Sequence, residues 1–112
     1  GSRVVTKSGD TIVQIAGMGT NASLAFTTRK GYINLIATED WTDSAQGCYW
    51  EFTNTNTGTT TRSVKMVILG NGNVGIGTAS PGSKLSIVGL PSSASGLSAG
   101  DVWRNGGVLT IV

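Results

Sequence analysis

The chain has 112 residues, and Gly, Thr, Ser and Asn make up 51 of them, with Gly alone at 17. Eight Lys/Arg stand against six Asp/Glu, with no His and a single Cys, which excludes His-dependent nucleophile systems, His-based zinc sites and any internal disulfide. The length fits one domain of about 100–200 residues, and the scarcity of charge beside abundant Thr, Val and Ile excludes disorder.

Gly1-Ser2 reads as a vector-derived scar, so the native N-terminus is expected to lie elsewhere and the chain to be a fragment. Apolar and polar residues then alternate with period two through Thr11–Ile15, Ser23–Thr27, Tyr32–Ile36 and Tyr49–Thr53, the pattern of short, half-buried strands. Val64-Lys65-Met66-Val67-Ile68-Leu69 is apolar at both parities, which predicts a strand buried on both faces. Gly9, Gly17, Gly19, Gly31, Gly58, Gly70 and Gly72, several beside Asn or Asp, punctuate these runs, and such residues accept the φ > 0 that hairpin turns require. No N-cap precedes a helical apolar stripe, so the fold class is all-β. Three regions follow: a strand-rich body over 1–69, a glycine-rich segment and short strand (Lys84–Val88) over 70–89, and a loop with a β-hairpin over 90–112. The hairpin is signalled by Asn105-Gly106-Gly107 between Asp101–Arg104 and Val108–Val112; a bare hairpin is marginal in water and needs a partner surface.

Several motifs invite chemistry. Gly70-Asn71-Gly72-Asn73-Val74-Gly75 matches G-x-G-x-x-G after a strand. The dinucleotide fingerprint must open a helix, whereas this chain continues through Val74-Gly75-Ile76-Gly77 to Pro81, so a tight turn is expected. Glu39, Asp40 and Asp43 flank Trp41 and could serve saccharide hydrolysis, although the same Asp and Thr side chains equally suit turn capping. Asn21-Ala22-Ser23 is a formal glycosylation sequon, and Cys48 beside Tyr49 and Trp50 reads as a small, buried or half-buried hydrophobe. The basic residues Arg3, Lys7, Arg29, Lys30, Arg62, Lys65, Lys84 and Arg104 are scattered, unlike the patch of a nucleic-acid binder. No apolar run reaches the ~18 residues of a membrane span. Exposed aromatics among polar neighbours suit saccharide stacking; Trp103 with Arg104 and Asn105 are the first candidates, followed by Trp41 and Tyr49. Nothing calls for a cofactor or a metal.

The segment Gly72-Asn73-Val74-Gly75-Ile76-Gly77-Thr78-Ala79-Ser80-Pro81-Gly82-Ser83-Lys84-Leu85-Ser86-Ile87 resembles the GNVGIGT-x-SP-x-x-KL-x-V stretch that recurs in bacteriophage tail-fibre and tail-spike proteins, in many of which it lies upstream of a self-cleaving chaperone domain. Residues 37–68, from Ala37-Thr38-Glu39-Asp40-Trp41-Thr42 through Gly58-Thr59 to Lys65-Met66-Val67-Ile68, are similar to the stretch that precedes it there, departing at Lys65, where the family frequently carries Arg. The end, Leu90-Pro91 through Ser98-Ala99-Gly100-Asp101-Val102-Trp103, is similar to a carboxy-terminal module of phage structural proteins. In all, the resemblance spans roughly residues 31–112.

The resemblance implies a host-facing component of a virion tail, made in the bacterial cytoplasm and assembled as an intertwined homotrimeric fibre of β-prism or triple-β-helix type. Thin glycine-rich chains would share one core on the threefold axis, with Val74, Ile76, Leu85 and Ile87 as axis residues and glycines between them allowing close backbone approach. The partners implied are two further copies of the chain and a host cell-surface receptor, saccharide in nature. Two other readings carry distinct expectations: a polysaccharide depolymerase using Glu39, Asp43, Glu51 or Asp101, and a monomeric carbohydrate-binding β-sandwich.

Overall fold

Period-two alternation and β-branched residues build eight strands and no helix in the computed structural model, which describes residues 4–112. Gly1-Ser2, expected to be a scar, and the basic Arg3 lie outside the described residues. The strands are β1 (Thr11–Gly17), β2 (Gly31–Ala37), β3 (Cys48–Thr55), β4 (Arg62–Ile68), β5 (Val74–Ile76), β6 (Leu85–Ile87), β7 (Val102–Asn105) and β8 (Val108–Ile111). The first six form one sheet in chain order, antiparallel except for the parallel β5–β6 pair, and β7–β8 form a separate two-stranded ribbon. The glycine-rich 70–89 segment therefore continues the sheet begun by residues 1–69.

Two strand expectations need correction. Ser23–Thr27 forms no strand but a closed loop with a single bridge between Thr20 and Phe26. Asn21 decides this: its Oδ1 accepts from the Ser23 and Ala25 amides at 3.0 and 3.1 Å. That side chain turns the backbone and places Leu24 at φ 58°, and a local bond of this kind outcompetes a ladder. The Val64–Leu69 run is not buried on both faces either: Val67 alone is buried, and its neighbours are half-exposed. Its register against β3 slips at Lys65, with Phe52 opposite Met66 but Thr53 opposite Val64. That bulge sends Val64 and Val67 to one face and Met66 and Ile68 to the other, where no second layer covers them.

The glycine-rich region does its work within the chain. Asn71 and Gly72 (φ +82°) turn β4 into β5, with the Gly72 amide donating to the Leu69 carbonyl at 2.8 Å. The G-x-G-x-x-G match is thus a hairpin turn. From β5 the chain doubles back over Gly75 to reach β6: a Cβ there would lie 2.4 Å from the Thr78 carbonyl oxygen and 3.1 Å from Val67 Cγ2. The bare side of Gly75 is filled by its own chain. The C-terminal hairpin forms as predicted, with Gly106 and Gly107 both at positive φ (54° and 95°) between the paired Asn105 and Val108, the dihedral signs of a type I′ turn.

The molecule is thin. Its extents are 61 × 46 × 17 Å and its radius of gyration is 18.2 Å, against about 13 Å for a compact domain of this length. Among the described residues, the buried apolar side chains are Ala37, Val67 and Pro81. A single sheet has two faces and nothing to sandwich between them.

Candidate functional site

Strand register sorts the side chains of the large sheet into two unlike faces, because successive residues point to opposite sides. One face is apolar from edge to edge. It carries Val13 and Ile15 of β1, opposite Leu35 and Ile33 of β2. These stand beside Trp50 and Phe52 of β3, with Ala37 and Cys48 paired at the margin. Ile68 and Met66 of β4 follow, then Val74 and Ile76 of β5, then Leu85 and Ile87 of β6. At one end the rows give way to Asn54 and Ser63, and Lys65 lines the same hollow as Ile15, Ile33 and Phe52. Ile15 is 65% exposed and Leu85 53%. Monomers rarely leave so continuous an apolar surface open, and such surfaces mark interaction sites.

The four axis candidates fall together on this face. Val74 pairs with Leu85, and Ile76 with Ile87. Sequence reasoning did not single out Val13, Ile15, Ile33, Leu35, Phe52, Met66 and Ile68 as one surface, although their parity along each strand carries that signal once the registers are known. Leu24 and Phe26, on the β1–β2 loop where alternation predicts a strand, are likewise 82% and 83% exposed.

The opposite face is mixed: Ile36, Val64 and Val67 lie on it beside Tyr49, Glu51 and Thr53, and part of it is a hydrogen-bonded strip. Gln14 Nε2 donates to Asn34 Oδ1 at 2.9 Å, and Asn34 is buried. The Arg62 guanidinium lies over the Tyr32 ring, 5.4 Å from its centroid, and donates to the Arg29 carbonyl. Thr53 pairs with Tyr32 in register, and its hydroxyl is buried with no hydrogen-bond partner in the structure. Two hollows open beside this strip. One, of about 400 Å³, is lined by Tyr32, Glu51, Thr53 and Arg62; the other, of about 360 Å³, by Gln14, Arg29, Tyr32, Asn34 and Arg62.

The predicted receptor-contact residues are spread over both sheets. Arg104 and Asn105 are exposed and Trp103 is half-buried on the β7–β8 ribbon; the Arg104 amide donates to the Pro91 carbonyl at 2.8 Å. Trp41 is half-buried in the β2–β3 loop, its indole N–H donating to the Gly47 carbonyl at 3.2 Å, which anchors the loop. Tyr49 stands on the polar face of β3; burial first, then the charge of Glu51 and the nearby Tyr32, push its phenol above the ordinary value.

Of the candidate carboxylates, Glu39 and Asp101 are tied to backbone amides, and Asp43 is exposed in the β2–β3 loop. Glu39 Oε1 accepts from the Gly47 amide at 2.6 Å, and Asp101 Oδ2 from Ser98 at 2.8 Å. Asp40 accepts from the Ser8 amide and pairs with Lys7 Nζ at 2.8 Å. The Lys7 and Ser8 hydrogen bonds hold its carboxyl below the ordinary range. These are the turn-capping roles that Asp, Glu and Thr take in loops. Glu51 stands apart from them on the polar face of β3, opposite Asn34 and Val67.

No protein-family model matches the chain, and no curated protein matches it in sequence.

Proposed function

We propose that this chain is a structural element of a bacteriophage tail fibre, working as a homotrimer that turns its apolar sheet face to a threefold axis and presents its polar face and the β7–β8 ribbon to a host receptor. The observation that carries the proposal is the open apolar face spanning all six strands of the large sheet. The accessible surface of 7757 Å² exceeds by about 2,000 Å² the ~5,800 Å² of a compact monomer of this mass. Such an excess is of the order that obligate interfaces bury. Three copies sharing one core would cover it, and the order of motifs through 31–112 resembles that of tail-fibre proteins. Attachment then needs no bond-making, because three weak contacts on one rigid body gain avidity through effective concentration.

Sedimentation equilibrium tests the assembly. The expected mass is three times the 11.5 kDa of one chain, retained on dilution to nanomolar concentration. A monomer at micromolar concentration overturns the proposal, and a clean dimer replaces it with a two-layer sandwich.

A further inference from the structure

The hollow between β1, β2 and β4 on the polar face brings together two arginines that no carboxylate neutralises. Arg29 and Arg62 both line it, with Gln14, Asn34 and Tyr32. The ion pair found among the described residues joins Lys7 to Asp40, and no Asp or Glu lines this hollow. Glu51 belongs to the neighbouring one. Arg62 is held in place on both sides: its guanidinium stacks on Tyr32 and donates to the Arg29 carbonyl. A guanidinium has five N–H donors, so this leaves others free to face the hollow. Asn34 is likewise fixed, its Oδ1 accepting from Gln14, and its amide N–H groups remain available as donors.

We propose that this hollow is a binding site for the anionic group of a surface saccharide. The guanidinium pair supplies the planar, fork-like donors that suit a carboxylate or phosphate. The Gln14 and Asn34 amides match the donor and acceptor pattern of sugar hydroxyls, and the Tyr32 ring offers an apolar body with a polar tip. The volume of about 360 Å³ lies at the small end of ligand sites, which span roughly 300–1,000 Å³. The site is distinct from the hairpin residues Trp103, Arg104 and Asn105. It rests on the fibre reading in one respect: burial of the apolar face is what leaves the polar face as the outer wall, repeated three times per trimer.

The experiment titrates the full chain by calorimetry with 3′-sialyllactose, a hyaluronan tetrasaccharide, lactose 1-phosphate and, as neutral probe, lactose. At least one acidic probe is expected to bind ten-fold or more tightly than lactose, weakening as salt rises. The first two probes against the third tell a carboxylate from a phosphate as the group recognised. Arg29→Gln and Arg62→Gln should each weaken that binding ten-fold or more. Arg29 is exposed on a loop, so its variant keeps the test open if Arg62→Gln fails to fold. Equal binding of lactose, no binding of any acidic probe, or binding unchanged in Arg29→Gln overturns the site. Sedimentation of the same samples separates the two ideas: a trimer that binds no acidic probe sinks this site and leaves the fibre reading standing. A monomer that binds through Arg29 does the reverse.

Discussion

Replacing Ile15 by Thr separates the stability of the sheet from that of the assembly. Ile15 lies on the apolar face opposite Ile33 and is 65% exposed in the single chain. Thr keeps the β-branch that suits a strand, so the isolated sheet loses little. Full burial of an Ile side chain contributes about 1.5–3 kcal/mol, so covering the remaining 65% contributes about 1–2 kcal/mol per copy. Summed over a trimer, the substitution costs about 3–6 kcal/mol, or about 10²–10⁴ in the dissociation constant. Because that constant scales as the square of protomer concentration, the midpoint of dissociation should rise about 10- to 100-fold. Sedimentation equilibrium across a dilution series reads it directly, with Ala16→Thr on the polar face as the control. An unchanged midpoint for Ile15→Thr, or an equal shift for Ala16→Thr, refutes the reasoning that the apolar face is the shared one.

Gly75→Ala should lower stability by about 1–3 kcal/mol, because the new Cβ meets the Thr78 carbonyl oxygen at 2.4 Å. Gly82→Ala, where a Cβ meets nothing within 4 Å, should leave the melting temperature in place, and calorimetry compares the two. Removing the Glu39 carboxylate loosens the β2–β3 loop held through Gly47; Glu39→Ala should cost about 1 kcal/mol in urea unfolding and Glu39→Gln less, since an amide oxygen still accepts. Stability should also depend on pH at both extremes. Asp40 titrates below its ordinary value when folded, so its contribution is present above about pH 4 and is lost as pH falls through the lowered folded value; Asp40→Asn should flatten that acid limb. Tyr49 titrates above its ordinary value. Above about pH 10 the unfolded phenol therefore ionises first, and stability falls as pH rises toward the folded value. Urea midpoints measured against pH should show this alkaline limb shrinking in Tyr49→Phe.

The two unlike faces divide the functional problem. An apolar face favours a partner of the same kind, because association removes it from water without a polar group being stranded. A polar face fixed by Gln14–Asn34 and Arg62–Tyr32 contacts stays wet and suits a soluble, hydroxyl-rich partner. The single-layer architecture makes both faces available at once, which a compact two-layer domain of this length could not do.

Much of the architecture was readable one strand at a time. Alternation in Tyr32–Ile36 and Tyr49–Thr53, and the Asn105-Gly106-Gly107 turn, were enough to specify β2, β3 and the final hairpin, because period two and positive φ are local properties of a chain. The composition likewise points to a thin core, and the described structure buries few apolar side chains: Ala37, Val67 and Pro81. What local pattern could not supply was register. Asn21 converting Ser23–Thr27 into a loop is a side-chain contact that competes with strand propensity. The bulge at Lys65, which sorts an all-apolar run onto two faces, appears only when β4 is laid against β3. Arg29, Arg62 and Asn34 are remote in sequence, and only the pairing of β2, β3 and β4 with the β1–β2 loop gathers them around Tyr32. Strands are local; a face, and any site on it, is the product of how strands align.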